Sequence, residues 1–232
     1  MKLGRIGAMD VEVAILKEKM VNKTERVIAG ATYCEGVLEN LPVVVVQCGV
    51  GKVNAALCVQ ALCDCFAVTH IVNTGVAGSL DAKLDIGDFV ISSDAIYHDF
   101  DCGALNYPVG QVPGLPVKAF PADKGLIDLA FAAANAQGAA YVGTVASGDQ
   151  FVCKKEQKKN IVANTGALCT EMEGAAIAHS AWRNNVPFVI IRAISDKADD
   201  SAQMDYPTFE AAAAMRCAEV TQIMANSLAN LA

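Results

Sequence analysis

The sequence predicts one α/β domain spanning residues 1–232, with a central mixed, mostly parallel twisted sheet in a three-layer α/β/α sandwich. Three observations predict it. Strand-like apolar runs largely alternate with stretches of helical spacing. Several of those runs are apolar on both faces, as strands covered on both sides are. No linker, repeat or low-complexity segment interrupts the 232 residues, a length common for one large α/β domain.

The elements follow in order. "KLGRIGAM" is a short apolar strand ending in small residues. "DVEVAILKEKM" has helical spacing at Val11, Ile15 and Leu16, with acidic residues in its first turn. "TERVIAG" and "TYCEGVLEN" form a hairpin, and "LPVVVVQCG" a fully buried strand. "GKVNAALCVQALCDCFA" is an apolar helix. "THIVNTGVAGSL" and "GDFVISSDAIYHD" are further strands. Phe100 to Pro121, rich in Gly and Pro, is a long loop, and loops of that length in compact domains are often functional. A helix near "KGLIDLAFAAANAQ", the strand "AAYVGTVASGD" and a lysine-rich helix come next. "LCTEMEGAAIAH" runs into the helix "GAAIAHSAWRNN", followed by the β-branched strand "VPFVIIRAISD". After a polar loop, Pro207 starts a long C-terminal helix.

Composition narrows the function. Hydrophobic residues make up 53% of the chain and mean hydropathy is +0.34, enough for a large core. No apolar run approaches the roughly 20 residues of a membrane span. "MKLGRIGAMD" has no apolar h-region, so no signal peptide is read and a cytoplasmic location is expected. Net charge is −7, and "KKEQKKN" at 154–160 reads as a solvated helix face, so no nucleic-acid partner is expected. The nine cysteines mostly sit in apolar runs, without C-x-x-C spacing or a histidine at zinc-like spacing. They read as small core residues of a reducing compartment, and no metal or other cofactor is expected.

Several motifs fall away. "GVGK" at 49–52 lacks the earlier glycine of a phosphate loop, and Val53 stands where Ser or Thr would be needed. Gly4 and Gly7 make no G-x-G-x-x-G. No G-x-S-x-G elbow exists, and His70, His98 and His179 read as structural.

Carboxylates at the ends of apolar strands remain. Glu12 follows the first strand, Glu171 and Glu173 follow "GALCT", and Asp196 ends "VIIRAIS". Ligand sites of α/β sheets lie beyond the carboxyl ends of strands, so these acids point to acid/base chemistry. The alternative is helix N-capping by Asp10 or Asp196. A carboxylate in a small apolar run such as "LCTEMEGAA" is costly to bury without a partner, and the sequence assigns none to Glu171.

"IGAMDVEV" at 6–13, "GVGKVNAAL" at 49–57, "NTGVAGSL" at 73–80, "SGDQFV" at 147–152, "EMEGAAIAH" at 171–179 and "RAISDKAD" at 192–199 resemble the 5′-methylthioadenosine/S-adenosylhomocysteine nucleosidases of the purine nucleoside phosphorylase superfamily. The resemblance covers essentially the full length, in order. It implies a nucleoside phosphorylase-like fold and hydrolysis of a purine–ribose bond. Glu12 would be the general base that polarises water, and Asp196, oriented by Ser195, would protonate N7 of adenine. Glu173 would hold the ribose hydroxyls, with Met172 against the sugar and Arg192 near ribose and water. Phe151 would stack on adenine, and the backbone of Val152 would read its Watson–Crick edge. Met9, Val50 and Tyr206 would line the site towards the 5′-alkylthio group. The family works as a homodimer, in which Leu105 and Pro113 of the 100–121 loop would complete the partner's pocket. The chain departs from a frequent Asn-Thr-Gly-Ser-Ala-Gly-Gly pattern at Val76 and Ser79, and Tyr206 stands where phenylalanine is frequent.

The chemistry agrees with those residue types. Cleaving a ribosyl C–N bond leaves an oxocarbenium-like cation and a purine anion. The anion needs a proton from an acid, the cation needs nearby negative charge, and water needs a base. A phosphorylase would instead need arginines converging on phosphate, which Glu12 would repel, whereas Arg5, Arg26, Arg183, Arg192 and Arg216 are scattered along the chain. A hydrolase of aminodeoxyfutalosine and a silent binding or storage protein are the other readings. The presence of both Glu12 and Asp196 argues against a silent protein.

Overall fold

The structure is a computed structural model and describes residues 1–230. Ten strands form one mixed sheet. In chain order the elements are β1 (Leu3–Gly7), α1 (Asp10–Lys19), β2 (Val21–Ile28), β3 (Ala31–Leu38), β4 (Leu41–Gln47), α2 (Lys52–Phe66), β5 (His70–Ser79) and β6 (Phe89–Tyr97). They continue as β7 (Phe120–Pro121), α3 (Lys124–Asn135), β8 (Ala140–Ser147), α4 (Lys155–Thr165), β9 (Cys169–Glu171), α5 (Gly174–Arg183), β10 (Phe188–Asp196) and α6 (Ala202–Ala229).

Parallel pairing runs through β4, β1, β5 and β10. The β2–β3–β4 meander is antiparallel. β10 also meets β6 antiparallel, β6 meets β8 parallel, and β8 meets β9 parallel. β9 pairs back onto the last two residues of β5, Gly78 and Ser79. The ends of β5, β8, β9 and β10 are thereby drawn to one place.

The all-apolar strands are buried on both faces, as their composition requires. Val43 to Val46 of β4 are each at most 1% exposed. Burying each such valine is worth about 1.5–3 kcal/mol. On one face Ala55, Cys58 and Leu62 of α2 pack with Ala175, Ile177 and Ala178 of α5. On the other, Val13 and Leu16 of α1 pack with Leu126 and Ala130 of α3 and Cys217 and Val220 of α6. The expected three-layer architecture is present.

Two local expectations differ, and one short strand was not foreseen. The last helix begins at Ala202, and Pro207 lies inside it. Pro207 lacks the N–H of an interior position, but the chain enters this helix earlier, with Asp205 N–H bonding the carbonyl of Ser201. The 100–121 segment is not wholly loop: a 3₁₀ turn spans Gly103–Leu105, and β7 pairs with β6. Of its apolar residues Leu105 is exposed, whereas Val112 and Leu115 pack against the α2/α5 core. The three-residue strand β9 is too short to show an alternating pattern and depends on β5 and β8 to exist.

Candidate active site

A pocket enclosing about 600 Å³, part of it open to solvent, lies where β1, β5, β9 and β10 end. Its wall contains Met9, Glu12, Val50, Phe151, Val152, Met172, Glu173, Arg192, Ser195, Asp196 and Tyr206 together. Leu105 and Pro113, expected to complete a partner's pocket, are not in this chain's own wall. Leu105 is 66% exposed on the 3₁₀ turn.

Glu12 is the third residue of α1, two residues past the β1–α1 junction. Its Oε2 accepts the backbone N–H groups of Ala8 at 2.6 Å and Met9 at 3.1 Å, returning to the start of its own helix. One carboxylate oxygen therefore anchors the side chain, which is buried within the pocket wall. Met9, not Asp10, occupies the N-cap position.

Glu173 is the N-cap residue of α5. Its Oε1 accepts the N–H of Gly51 at 2.8 Å, and its Oε2 lies 4.0 Å from Nη2 of Arg192. Gly51 has φ +98, a left-handed conformation suited to glycine, at the turn that opens α2. Burial first, then the neighbouring Glu171 charge, raises the Glu173 carboxyl to about 7.

Glu171 has the partners that its burial demands. It accepts the Ser147 hydroxyl, the N–H of Glu173 at 3.1 Å and the N–H of Gly174 at 2.8 Å, and it pairs with the Arg192 guanidinium. Arg192 also donates to Asn73 Oδ1 at 2.5 Å. Glu171 therefore ties β9, α5 and β10 together at an N-terminal helix end that favours negative charge.

Asp196 closes β10. Ser195 Oγ donates to its Oδ2 at 2.9 Å, and the Ala198 N–H donates to its Oδ1 at 2.7 Å. It caps no helix. Burial raises its carboxyl above the ordinary range, against the pull of those two donors, with Asp205 and Asp199 adding repulsion.

The open side is apolar and aromatic. Phe151 meets Tyr206 edge-on at 5.6 Å between ring centroids, and the Tyr206 hydroxyl donates to Met9 Sδ at 3.2 Å. Val76, without a hydroxyl, also lines the wall. The 148–152 strap is tied to α2: Asp149 Oδ1 accepts the Lys52 N–H at 2.9 Å, and Asp99 accepts both the Asp149 N–H and the Lys52 ammonium. Beneath the pocket, Gly75 of β5 has no room for a side chain. A Cβ there would collide with Nη1 of Arg192 and lie 2.5 Å from Oε1 of Glu12.

Reasoning from sequence missed Gly51, Asn73 and Arg5 as neighbours of these acids. Asn73 and Arg5 did carry a signal, as lone polar residues inside the apolar strands "HIVNTGV" and "LGRIG". The Gly51 contact is made by backbone, which leaves no side-chain trace.

Comparison with known proteins places the chain in a family. The Phosphorylase superfamily pattern matches residues 2–226. A curated 5′-methylthioadenosine/S-adenosylhomocysteine nucleosidase of Staphylococcus aureus (strain MRSA252) is 41% identical over 228 residues, covering 97% of this chain and 100% of that protein. The crystal structure of a nucleosidase of the same name from Colwellia psychrerythraea 34H, in complex with adenine, superposes with a TM-score of 0.94 at 40% identity, over 98% of this chain and 96% of that one. A futalosine hydrolase of Helicobacter pylori superposes with a TM-score of 0.93 at 33% identity, over 98% of each chain. With the fold and these full-length matches in agreement, the chain belongs to the phosphorylase superfamily and, within it, to the 5′-methylthioadenosine/S-adenosylhomocysteine nucleosidase family.

Proposed function

We propose that this protein is an N-glycosyl hydrolase that cleaves 5′-methylthioadenosine and S-adenosylhomocysteine, and with them 5′-deoxyadenosine, to adenine and the corresponding ribose. That chemistry serves methionine salvage and methyl-cycle recycling. The observation that carries the reading is the gathering of Glu12, Glu173 and Asp196, from three distant parts of the chain, into one pocket wall.

Each has a role that its surroundings support. Glu12, held through one oxygen by the Ala8 and Met9 N–H groups, takes a proton from the attacking water. Glu173 receives the ribose 2′ and 3′ hydroxyls and places negative charge beside the developing sugar cation. Met172 packs against the sugar. Asp196, with its carboxyl raised by burial and oriented by Ser195, supplies the proton to N7 of the leaving adenine. Phe151 stacks on the base, and the Val152 backbone meets its edge. Met9, Val50 and Tyr206 face the 5′ substituent. Arg192 sits near ribose and water while its guanidinium neutralises Glu171.

Hydrolysis is favoured over phosphorolysis by charge. The described pocket wall holds one cation, Arg192, already bound to Glu171 and Asn73. Adenine release from methylthioadenosine, measured with and without phosphate, tests this. Equal rates are expected, and a rate that requires phosphate would mark a phosphorylase instead. The full-length likeness to a futalosine hydrolase supports aminodeoxyfutalosine as a second substrate, to be assayed in the same panel.

We further propose a homodimer in which Leu105 and Pro113 complete the partner's pocket. Exposed apolar side chains support it: Leu105 is 66% exposed, and Val53 and Leu57, one turn apart on α2, are 71% and 52% exposed. Among the described residues no helix is long and apolar enough to cross a membrane. A cytoplasmic location fits nine cysteines that form no disulfide among the described residues.

A further inference from the structure

A buried arginine lies beside the pocket without belonging to its wall. Arg5 is the middle residue of β1 and is 1% exposed. Its register neighbours Val45 and Val72 belong to the apolar core under α1 and α6. Its Nη2 donates to the Thr74 hydroxyl, while Nε and Nη1 have no hydrogen-bond partner. A guanidinium buried with donors unmet costs the fold more than an apolar side chain of similar size would. Packing therefore does not explain why it is there.

Its surroundings do. The titratable groups that face it are Glu12 on α1, Cys217 on α6, Arg192 on β10 and Cys48 after β4, with Glu12 foremost. A Cβ on Gly7 would lie 2.8 Å from Arg5 Nη1 and 3.0 Å from Glu12 Cβ, so both side chains converge on one bare backbone position. Glu12 in turn faces Glu173, Tyr206 and Arg192. Three buried carboxylates, Glu12, Glu171 and Glu173, thus share two buried guanidiniums, Arg5 and Arg192. Arg192 is committed to Glu171, whereas Arg5 has no ion-pair partner of its own among the described residues and faces Glu12 foremost.

We propose that Arg5 is a positioning residue for Glu12, a buried cation that sets opposite charge beside this side chain from the core. The inference rests on reading Glu12 as the base that activates water. Burial lowers the Arg5 guanidinium to about 10, opposed chiefly by Glu12, so it remains charged at neutral pH. Because Arg5 is not among the residues that line the pocket, this cation acts on Glu12 without facing the sugar.

Two measurements test this. Carbon-13 NMR of protein labelled at its glutamate carboxyls follows Glu12 without any substrate, its signal assigned by loss in Glu12→Gln. Arg5→Met should raise the Glu12 midpoint by about one pH unit relative to the unsubstituted protein, and Arg5→Lys should recover most of that shift. With methylthioadenosine, the acid limb of kcat should move up by the same amount in Arg5→Met. That movement lowers kcat about tenfold on the limb, with KM within about twofold. Coincident Glu12 titrations in the two proteins overturn the proposal, whatever the substrate proves to be. So does a loss of activity that is uniform across pH, which is the signature of a packing role. Should Arg5→Met fail to fold, Thr74→Val frees the guanidinium from its one bond; it should shift Glu12 the same way by less, and an unmoved midpoint counts against the idea. If the unsubstituted protein releases no adenine, the hydrolase reading fails, while the NMR arm still decides whether Arg5 governs the charge on Glu12.

Discussion

The Glu171 carboxylate and the Arg192 guanidinium form an ion pair buried at the pocket, joining β9 to β10. Both side chains are at most 3% exposed. The same carboxylate holds the first N–H groups of α5.

Removing one member of a buried pair leaves the other charge unmatched. Glu171→Ala should therefore lower stability by about 3–5 kcal/mol. A thermal melt should show a drop of roughly 10 °C, using about 2–4 °C per kcal/mol for a chain of this size. A shift under about 2 °C would mean that Glu173 and Asn73 suffice to hold Arg192.

Glu12→Gln should fold normally, because an amide oxygen can still accept the Ala8 and Met9 N–H groups. It cannot take a proton from water, so turnover should fall by about 10²–10⁴-fold. Adenine binding, followed by calorimetry, should persist. Near-normal adenine release would remove the general-base role.

Asp196→Asn should lose activity by about 10²–10⁴-fold on methylthioadenosine, since an amide cannot pass a proton to N7. The loss should shrink on a nitrophenyl riboside, whose leaving group needs no proton. Equal losses on both substrates would make Asp196 structural. In the unsubstituted enzyme, activity on methylthioadenosine should decline on the alkaline side as pH rises through the raised Asp196 value.

Glu173 links stability to pH. Its carboxyl is near 7 in the fold and lower in the unfolded chain, so the native state binds more protons between those values. Stability from this group is thus fully present below the unfolded value and is lost as pH rises towards and through about 7. Glu173→Gln removes that loss. Its melting temperature relative to the unsubstituted protein should be higher at pH 8 than at pH 5, and a constant difference across that range would contradict the assignment.

Leu105→Asp should weaken self-association and activity together, with the larger activity loss on substrates carrying bulky apolar 5′ groups. Light scattering at assay concentration, run beside the kinetics, checks both. A fully active monomer would rule out the shared pocket.

Much of this was legible in the chain. Val43 to Val46, four β-branched residues in a row, favour a strand covered on both faces, and such runs alternating with amphipathic stretches predict the layered α/β order. Glu12, Glu171, Glu173 and Asp196 stood out because a carboxylate beside a buried strand needs a reason, and the resemblance alone divided roles among them. Other features lie in contacts that distant residues make. β9 exists only by pairing with β5 and β8, and the packing of Val112 and Leu115 depends on a core built elsewhere. Glu171 and Arg192 are 21 residues apart, and neither residue type names its partner.

Gly75 carries a different kind of consequence. Arg192 and Glu12 both rest over its bare backbone, so the smallest possible gain, one methyl group, strikes a cation and an acid at once. Most pocket walls tolerate a conservative exchange because neighbouring atoms can slide; here one neighbour is locked to Glu171 and Asn73 and the other to the start of α1. In a saturation-mutagenesis library the lineage could drift at the half-open aromatic rim, where Phe151 is 45% exposed, far more freely than at this single missing side chain. The route to altered substrate range therefore runs through the rim, and Gly75 is a position from which evolution has almost nowhere to step.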